Sequence, residues 1–111
     1  ITPLQAVLAS QVGADYVAVL VGRAYKLGFK GGAVLKSTIK ALKKMRSETK
    51  VIAASLYSED HVINSLIAGA DLVTVNFSLL NRLLSHKALL KMLGEIDEAW
   101  RKQLVRTGAK A

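Results

Sequence analysis

The sequence predicts an α/β fold in which short parallel strands alternate with helices. Three stretches have the composition and length of strands: residues 13–23, which end in Gly-Arg, residues 50–55, and residues 69–75. Each stretch follows a segment with helical periodicity, and a Gly-Ala-Asp entrance opens both the first and the third. Their apolar runs are nearly continuous, which is typical of strands buried on both faces of a parallel sheet.

Length and composition indicate one folded domain, predicted here as a single unit over residues 1–111. A hydrophobic content of 51% argues against disorder. Polar residues interrupt every apolar run before the roughly 18 residues that a membrane span needs, so no membrane partner is predicted. The chain has no cysteine and no signal-peptide pattern, so a reducing cytoplasm is its expected location. Only His61 and His86 offer imidazole ligands, and we predict no metal and no cofactor.

The net charge of +8 is concentrated on two predicted helices. A basic surface attracts phosphates in general, including those of nucleic acids. The interpretation we favour is a solvated helix face. Nucleic acid is the less favoured partner, because an aromatic content of 5% provides few platforms on which bases can stack.

The first predicted helix begins with a capping box formed by Thr2 and Gln5 around Pro3, and it ends at Gly13. Its predicted inward residues are Leu4, Val7, Leu8 and Val12. This clean start at a cap, without methionine, suggests a chain cut from something longer.

The segment after Arg23, residues 24–32, is predicted to be a loop rich in glycine and lysine. Its backbone N–H groups can surround a phosphate, but no G-x-G-x-x-G or Walker pattern is present, so a flexible connection is the favoured interpretation. A basic amphipathic helix is predicted next, over residues 33–46. Its predicted inward residues are Leu35, Ile39, Leu42 and Met45.

The second strand ends at Ser55, and Ser58 is predicted to cap the helix that follows. That helix closes at Gly69, and its predicted inward residues are Val62, Ile63, Leu66 and Ile67. His61 lies in its first turn beside acidic residues. We interpret His61 as an exposed polar residue and not as a catalytic base.

The third strand is predicted to run to Asn76 or Phe77, and Ser78 to cap a short helix over residues 79–84. A long helix is predicted over residues 87–105, with Trp100 packed in its apolar stripe, before a frayed tail that follows Arg106. Three parallel strands cannot close a barrel, and they leave two open sheet edges. Another chain or further sequence is therefore needed to cover those edges.

The motifs occur in a recognisable order: Gly-Ala-Asp-Tyr-Val-Ala at residues 13–18, Val-Gly-Arg at 21–23, Lys-Val-Ile-Ala-Ala-Ser at 50–55, Ala-Gly-Ala-Asp-Leu-Val-Thr-Val at 68–75, and Asp-Glu-Ala-Trp at 97–100. Together they resemble transaldolase and its short relative fructose-6-phosphate aldolase. The resemblance covers nearly the whole chain, but only the C-terminal part of that family's (β/α)8 barrel. It implies a partial TIM barrel whose three strands look like strands six to eight of a class I aldolase.

The resemblance implies an activity on sugar phosphates. Family members transfer or cleave a dihydroxyacetone unit through a Schiff base on a lysine, in carbohydrate metabolism that includes the pentose phosphate pathway. That lysine and the acid–base residues belong to earlier strands, so no catalytic residue is expected in this chain, and whether it is itself an enzyme stays open. The phosphate-binding residues do carry over, as Arg23 and Ser55. Further candidate contacts at the same rim are Lys26, Lys30, Tyr57 and Asn76.

Several positions depart from the family's pattern. Leu20 stands in place of an aromatic residue, and Val19 in place of a proline. Leu56 and Tyr57 replace an aromatic residue followed by a cation, and Val75-Asn76 replaces Leu-Pro. These departures leave the fold expectation intact and put the full family activity in question.

Two functions therefore stay open. In the first, the chain is the phosphate-binding part of a transaldolase-like aldolase, with a sugar-phosphate substrate and with copies of itself or the remainder of the barrel as partners. In the second, it is a non-catalytic half-barrel that self-assembles and binds phosphate or nucleic acid. The basic helix and the open sheet edges motivate the second function.

Overall fold

The computed structural model describes residues 1–108. In chain order the elements are helix α1 (Pro3–Gln11), strand β1 (Tyr16–Leu20), helices α2 (Val21–Lys26) and α3 (Gly31–Lys44), strand β2 (Lys50–Ala54), helix α4 (Glu59–Ile67), strand β3 (Leu72–Val73), and helices α5 (Phe77–Leu84) and α6 (Lys87–Thr107). The chain divides into two compact units, one over Ile1–Leu79 and one from Leu80 onward. None of the described helices combines the length and the apolar character that crossing a bilayer requires.

The first unit is built on a parallel sheet of three strands in the order β1-β2-β3. Helices connect consecutive strands, which confirms the α/β prediction at this level. Strand β3 is shorter than predicted and ends at Val73. Asn76, predicted to end the strand, caps helix α5 instead, because its Oδ1 accepts the Leu79 N–H at 2.7 Å. Ser78 lies inside that helix, so the prediction that it is the cap is wrong.

The core lies between one face of the sheet and the helices. Strands β1 and β2 bury alternate residues, and helix α3 covers them with three of the four residues predicted to point inward, Leu35, Ile39 and Leu42. Full burial of each such side chain contributes about 1.5–3 kcal/mol. Met45 was predicted to join them, but it lies beyond the end of the helix and is exposed.

The opposite face of the sheet is accessible, so the predicted burial on both faces is wrong for the described chain. Ala18, Ile52 and Leu72 are neighbours in one cross-strand row of this face. Leu72 is 46% exposed, and Tyr16 at the start of β1 is 54% exposed. An apolar surface of this kind is typical of an interaction face.

The predicted inward faces of helices α1 and α4 are confirmed only for Val7 and Val62, which pack partly buried against the core. Leu4, Leu8 and Val12 are exposed, and α1 buries Ala6 instead. Likewise the larger apolar residues of α4 are exposed and Ser65 is buried. A small residue at the contact allows the helix backbone to approach its neighbour closely, which hydrophobic periodicity alone does not indicate. The predicted Ser58 cap is confirmed, with its Oγ accepting the His61 N–H at 3.1 Å.

The second unit consists largely of helix α6, which starts after the cap residue His86 and ends at Gly108, where φ is +73°. None of its described residues is buried. Trp100 is 61% exposed, so its predicted packing is wrong for the described chain. The helix continues to Thr107, and residues 109–111 of the predicted frayed tail lie outside the described residues.

The Gly-Ala-Asp entrances stabilise the amino-terminal edge of the sheet. Gly13 and Gly69 adopt positive φ angles of +90° and +102° where helices α1 and α4 end. In the second entrance, Asp71 is bonded twice to Val51 of β2. Its Oδ2 accepts the Val51 N–H at 2.8 Å, and its own N–H donates to the Val51 carbonyl at 3.0 Å.

A network of hydroxyl groups adds to this edge. Ser10 Oγ and Ser47 Oγ are 2.6 Å apart, and Thr49 Oγ1 donates to the Ala14 carbonyl at 2.7 Å. These bonds join helix α1 to the turn before strand β2, and they satisfy polar groups that would otherwise be costly to enclose.

We expect Asp71→Ala to destabilise the fold by about 1–2 kcal/mol, because it removes the carboxylate that the Val51 N–H needs. The matched control is Asp15→Ala at the equivalent position of the first entrance. Asp15 contacts β2 through its backbone carbonyl, which accepts the Lys50 N–H at 2.9 Å, so its truncation should cost much less. Urea denaturation of both variants gives the comparison, and equal losses of stability would contradict this role of the Asp71 side chain.

Candidate functional site

The candidate site lies where strands β1 and β2 end side by side. Leu20 is paired with Ala54 in the parallel register, and the chain leaves both strands at the same edge. The Gly22 N–H then donates to the Ser55 carbonyl at 2.9 Å. The two residues predicted to bind phosphate, Arg23 and Ser55, are therefore brought together at the carboxyl edge of the sheet.

Arg23 lies in helix α2, which follows β1 directly, so the predicted loop over residues 24–32 is largely wrong. Only residues 27–30 connect α2 to α3. Gly28 allows the turn between them with a φ of +87°, while Gly31 packs tightly against the Val21 backbone. The glycines that predicted a flexible loop are instead required where two helices meet closely.

Gly22 permits the close approach of the two strand ends. A Cβ atom at this position would overlap the Ser55 carbonyl oxygen, and it would lie 2.5 and 2.6 Å from ring carbons of Tyr57. The Tyr57 ring therefore lies directly on the backbone of Gly22. Val-Gly-Arg is thus a packing motif as well as a candidate binding motif.

Ser55 adopts a left-handed backbone conformation with φ of +60°. This conformation is uncommon for a residue other than glycine, and it is typically retained at functional sites. It directs the Ser55 hydroxyl toward Tyr57, and Oγ donates to the Tyr57 hydroxyl at 2.8 Å.

Tyr57 lies near two cations, Lys26 and Arg23. Lys26 Nζ lies 4.3 Å from the centroid of the Tyr57 ring, which is within the range of a cation–π contact. The hydrogen bond from Ser55 lowers the pKa of the Tyr57 hydroxyl below its ordinary value. Desolvation opposes this effect, and the positive charges of Lys26 and Arg23 lower the same pKa further. Arg23 thus acts electrostatically on the hydroxyl that Ser55 contacts.

His61 is half-buried beside this group, so its predicted exposure is wrong. Its ring stacks on Tyr25 with centroids 5.5 Å apart, and it lies 6.4 Å from the Tyr57 ring. His61 Nδ1 accepts the Tyr57 N–H at 3.2 Å, which leaves the proton of the neutral ring on Nε2. Tyr57 and His61 are four residues apart, and this spacing could have predicted the contact.

The remaining candidate contacts divide into two groups. Lys26 and Tyr57 lie with Arg23 and Ser55, as described above. Lys30 precedes helix α3 and lines a groove with Tyr25 and His61. Asn76 uses its side-chain oxygen to cap helix α5, so its observed role is structural.

Arg23 forms no ion pair with Glu59 or Asp60, the acidic residues in the first turn of helix α4, within residues 1–108. Ion pairs that are observed there join Arg101 to Asp97 and Lys102 to Glu98. The Arg23 side chain is exposed. Its guanidinium is therefore available to an anion from solution.

Comparison with known proteins identifies the family. The family model for transaldolase/fructose-6-phosphate aldolase matches residues 1–110. The chain belongs to this family. This assignment confirms the resemblance drawn from the order and spacing of the strand motifs.

Curated members of the family share about a third of their aligned residues with the chain. A "probable transaldolase" of Thermoplasma acidophilum is 34% identical over 100 residues, which cover 90% of this chain and 45% of the relative. A "probable transaldolase" of Chlorobium phaeobacteroides is 34% identical over 85 residues, covering 77% and 38% respectively. The chain thus spans half or less of the length of these transaldolase-family relatives.

The departures from the family's pattern differ in their surroundings. Leu56 is 2% exposed and belongs to the core, so its change of residue type concerns packing. Tyr57 is exposed and lies among Arg23, Lys26 and Ser55. It is therefore the departure most directly placed to affect what binds at this edge.

Proposed function

We propose that the chain is part of a transaldolase-like class I aldolase that acts on sugar phosphates, and that it supplies the phosphate-binding end. The observation that carries this proposal is the bond from Gly22 to Ser55, because it brings Arg23 and Ser55 to one edge of the sheet. The three strands then correspond to the last three of a (β/α)8 barrel. In such barrels the carboxyl edge of the strands carries the active site.

The chemistry of this edge suits a phosphate. A guanidinium donates two parallel hydrogen bonds to phosphate oxygens, and a hydroxyl adds a third. The Ser55 hydroxyl now donates to Tyr57, and a bound phosphate would take over that donation. Lys26, held over the Tyr57 ring, adds positive charge without contributing to the core.

The complete reaction requires residues that this chain does not contain. In the proposed aldolase, the Schiff-base lysine and the acid–base residues belong to the earlier strands of the barrel. The remainder of the barrel or further copies of the chain would supply them and cover the open sheet. Such an enzyme would work in the carbohydrate metabolism of the cytoplasm.

The test is the affinity for fructose 6-phosphate of the wild type and of Arg23→Lys, measured calorimetrically in the complete protein. Lysine keeps the charge and loses the planar fork, so binding should weaken about fivefold to tenfold, equivalent to about 1 kcal/mol or more. The control is Arg46→Lys, an exposed arginine after helix α3, which should bind like the wild type.

Equal affinities of the wild type and Arg23→Lys would contradict the proposed role of Arg23. Absence of sugar-phosphate binding, together with an RNA affinity that falls steeply as salt rises, would instead support a self-assembling phosphate- or nucleic-acid-binding half-barrel.

A further inference from the structure

A cavity lies beside the candidate site, between helix α4 and the start of helix α3. Its volume is about 590 Å³, and its lining includes neither Arg23 nor Ser55. This volume falls within the range of small-molecule sites, which is roughly 300–1,000 Å³. The lining includes two buried apolar residues, Val21 and Leu35, and the exposed Ile67.

The polar groups of this cavity are predominantly donors. Lys30 and Lys36 line it together with His61 and Asn64, and the lining contains no carboxylate. Neither lysine takes part in the ion pairs found within residues 1–108. His61 Nδ1 accepts the Tyr57 N–H, so the neutral ring presents Nε2–H as a further donor. Two cations in a lining without a carboxylate create a positive potential that favours an anion.

Two aromatic rings, those of Tyr25 and His61, are part of the cavity lining. The Tyr25 and His61 rings are stacked with an angle of 17° between their planes. The Tyr25 hydroxyl accepts the Gly32 N–H at 3.1 Å, which holds the ring against the first turn of helix α3. A planar group can pack against such aromatic side chains, and the apolar lining residues add further contact area.

We propose that this cavity binds a small phosphate monoester with a flat apolar body, of the size of a nucleoside monophosphate. Lys30 and Lys36 contact the phosphate, and the Tyr25–His61 pair lies against the ring. Lys30, in the glycine- and lysine-rich segment that follows Arg23, thus serves a ligand other than the one bound by Arg23 and Ser55, while Lys26 of the same segment stays with Arg23 and Ser55. This site is independent of the proposed aldolase function.

The experiment uses calorimetric titration of adenosine 5′-monophosphate into the complete protein. The double variant Lys30→Ala/Lys36→Ala should bind about tenfold more weakly or worse, because it loses two charged donors. The matched control is Lys40→Ala/Lys44→Ala, which removes the same charge from exposed positions of the same helix outside the cavity. The control should bind like the wild type, and the melting temperatures of both variants should stay close to that of the wild type.

Two further titrations separate the contributions of the ligand's ring system and of its phosphate to the affinity. Adenosine and inorganic phosphate should each bind more weakly than the monophosphate, because each lacks one half of the recognised structure. Arg23→Lys should leave the affinity for the monophosphate unchanged, which separates this site from the proposed aldolase site. No binding of the monophosphate, or equal losses in the two double-lysine variants, would overturn the proposal.

Discussion

Gly22→Ala is expected to destabilise the fold by about 3 kcal/mol and to abolish the phosphate binding that we propose for Arg23 and Ser55. The added methyl group would meet the Ser55 carbonyl and the Tyr57 ring. Since the carbonyl belongs to the backbone, it cannot turn away as a flexible side chain would. The two strand ends must separate, and the bond between Gly22 and Ser55 is lost.

Urea denaturation and fructose 6-phosphate titration of the variant measure both effects. The matched control is Gly94→Ala in helix α6, where the added carbon would meet, among the described residues, no atom within 4 Å other than those of its own helix backbone and chain neighbours. There alanine should be neutral or stabilise the helix by up to about 1 kcal/mol, because of its higher helix propensity. A Gly22→Ala protein with the stability and affinity of the wild type would show that the strand ends are not held by this contact.

Leu72→Glu is expected to destabilise the complete protein by about 3 kcal/mol or more, although Leu72 is exposed in the described chain. Leu72 belongs to the apolar row that it forms with Ala18 and Ile52. We expect further polypeptide, either additional strands or another copy, to cover this row. A carboxylate enclosed there without a partner would be strongly unfavourable.

The control for this substitution is Leu8→Glu on the exposed face of helix α1, which should change stability by about 0.5 kcal/mol or less. The isolated chain provides a second measurement. Sedimentation and thermal unfolding should show association or non-cooperative melting, because the open row and the unpaired strand edges remain uncovered. A compact, cooperatively folding monomer, or equal effects of the two substitutions, would contradict this expectation.

Elements governed by local patterns were predicted well. The order of the strands and of the helices other than α2 follows from glycine stops and apolar runs, and the buried residues of helix α3 follow from their 3.6-residue spacing. Ser58 was recognised as a cap because the residues after it favour the start of a helix. In each case the interactions that decide the structure lie close together in the sequence.

Features that depend on distant neighbours were not predictable in this way. Helix α1 has apolar residues on more than one side, and the packing of Ala6 selects which side is buried. The glycine and lysine of helix α2 suggested a loop. The start of this helix depends on the close packing of Gly22 against Ser55 and Tyr57, which are distant in sequence. The stacking of Tyr25 on His61 joins parts of the chain that are far apart in sequence.

The hydroxyl network and the Asp71 bonds lie at the amino-terminal edge of the sheet, whereas Arg23, Ser55 and Tyr57 lie at the carboxyl edge. This separation has an evolutionary consequence. The departures at Leu20, Leu56, Tyr57 and Asn76 occur at or after the ends of strands, whereas Val19 departs within β1, and both Gly-Ala-Asp entrances are intact. Exposed residues of the carboxyl edge, such as Tyr57, can therefore be exchanged during evolution and change what binds there, while the bonds of the amino-terminal edge stay in place.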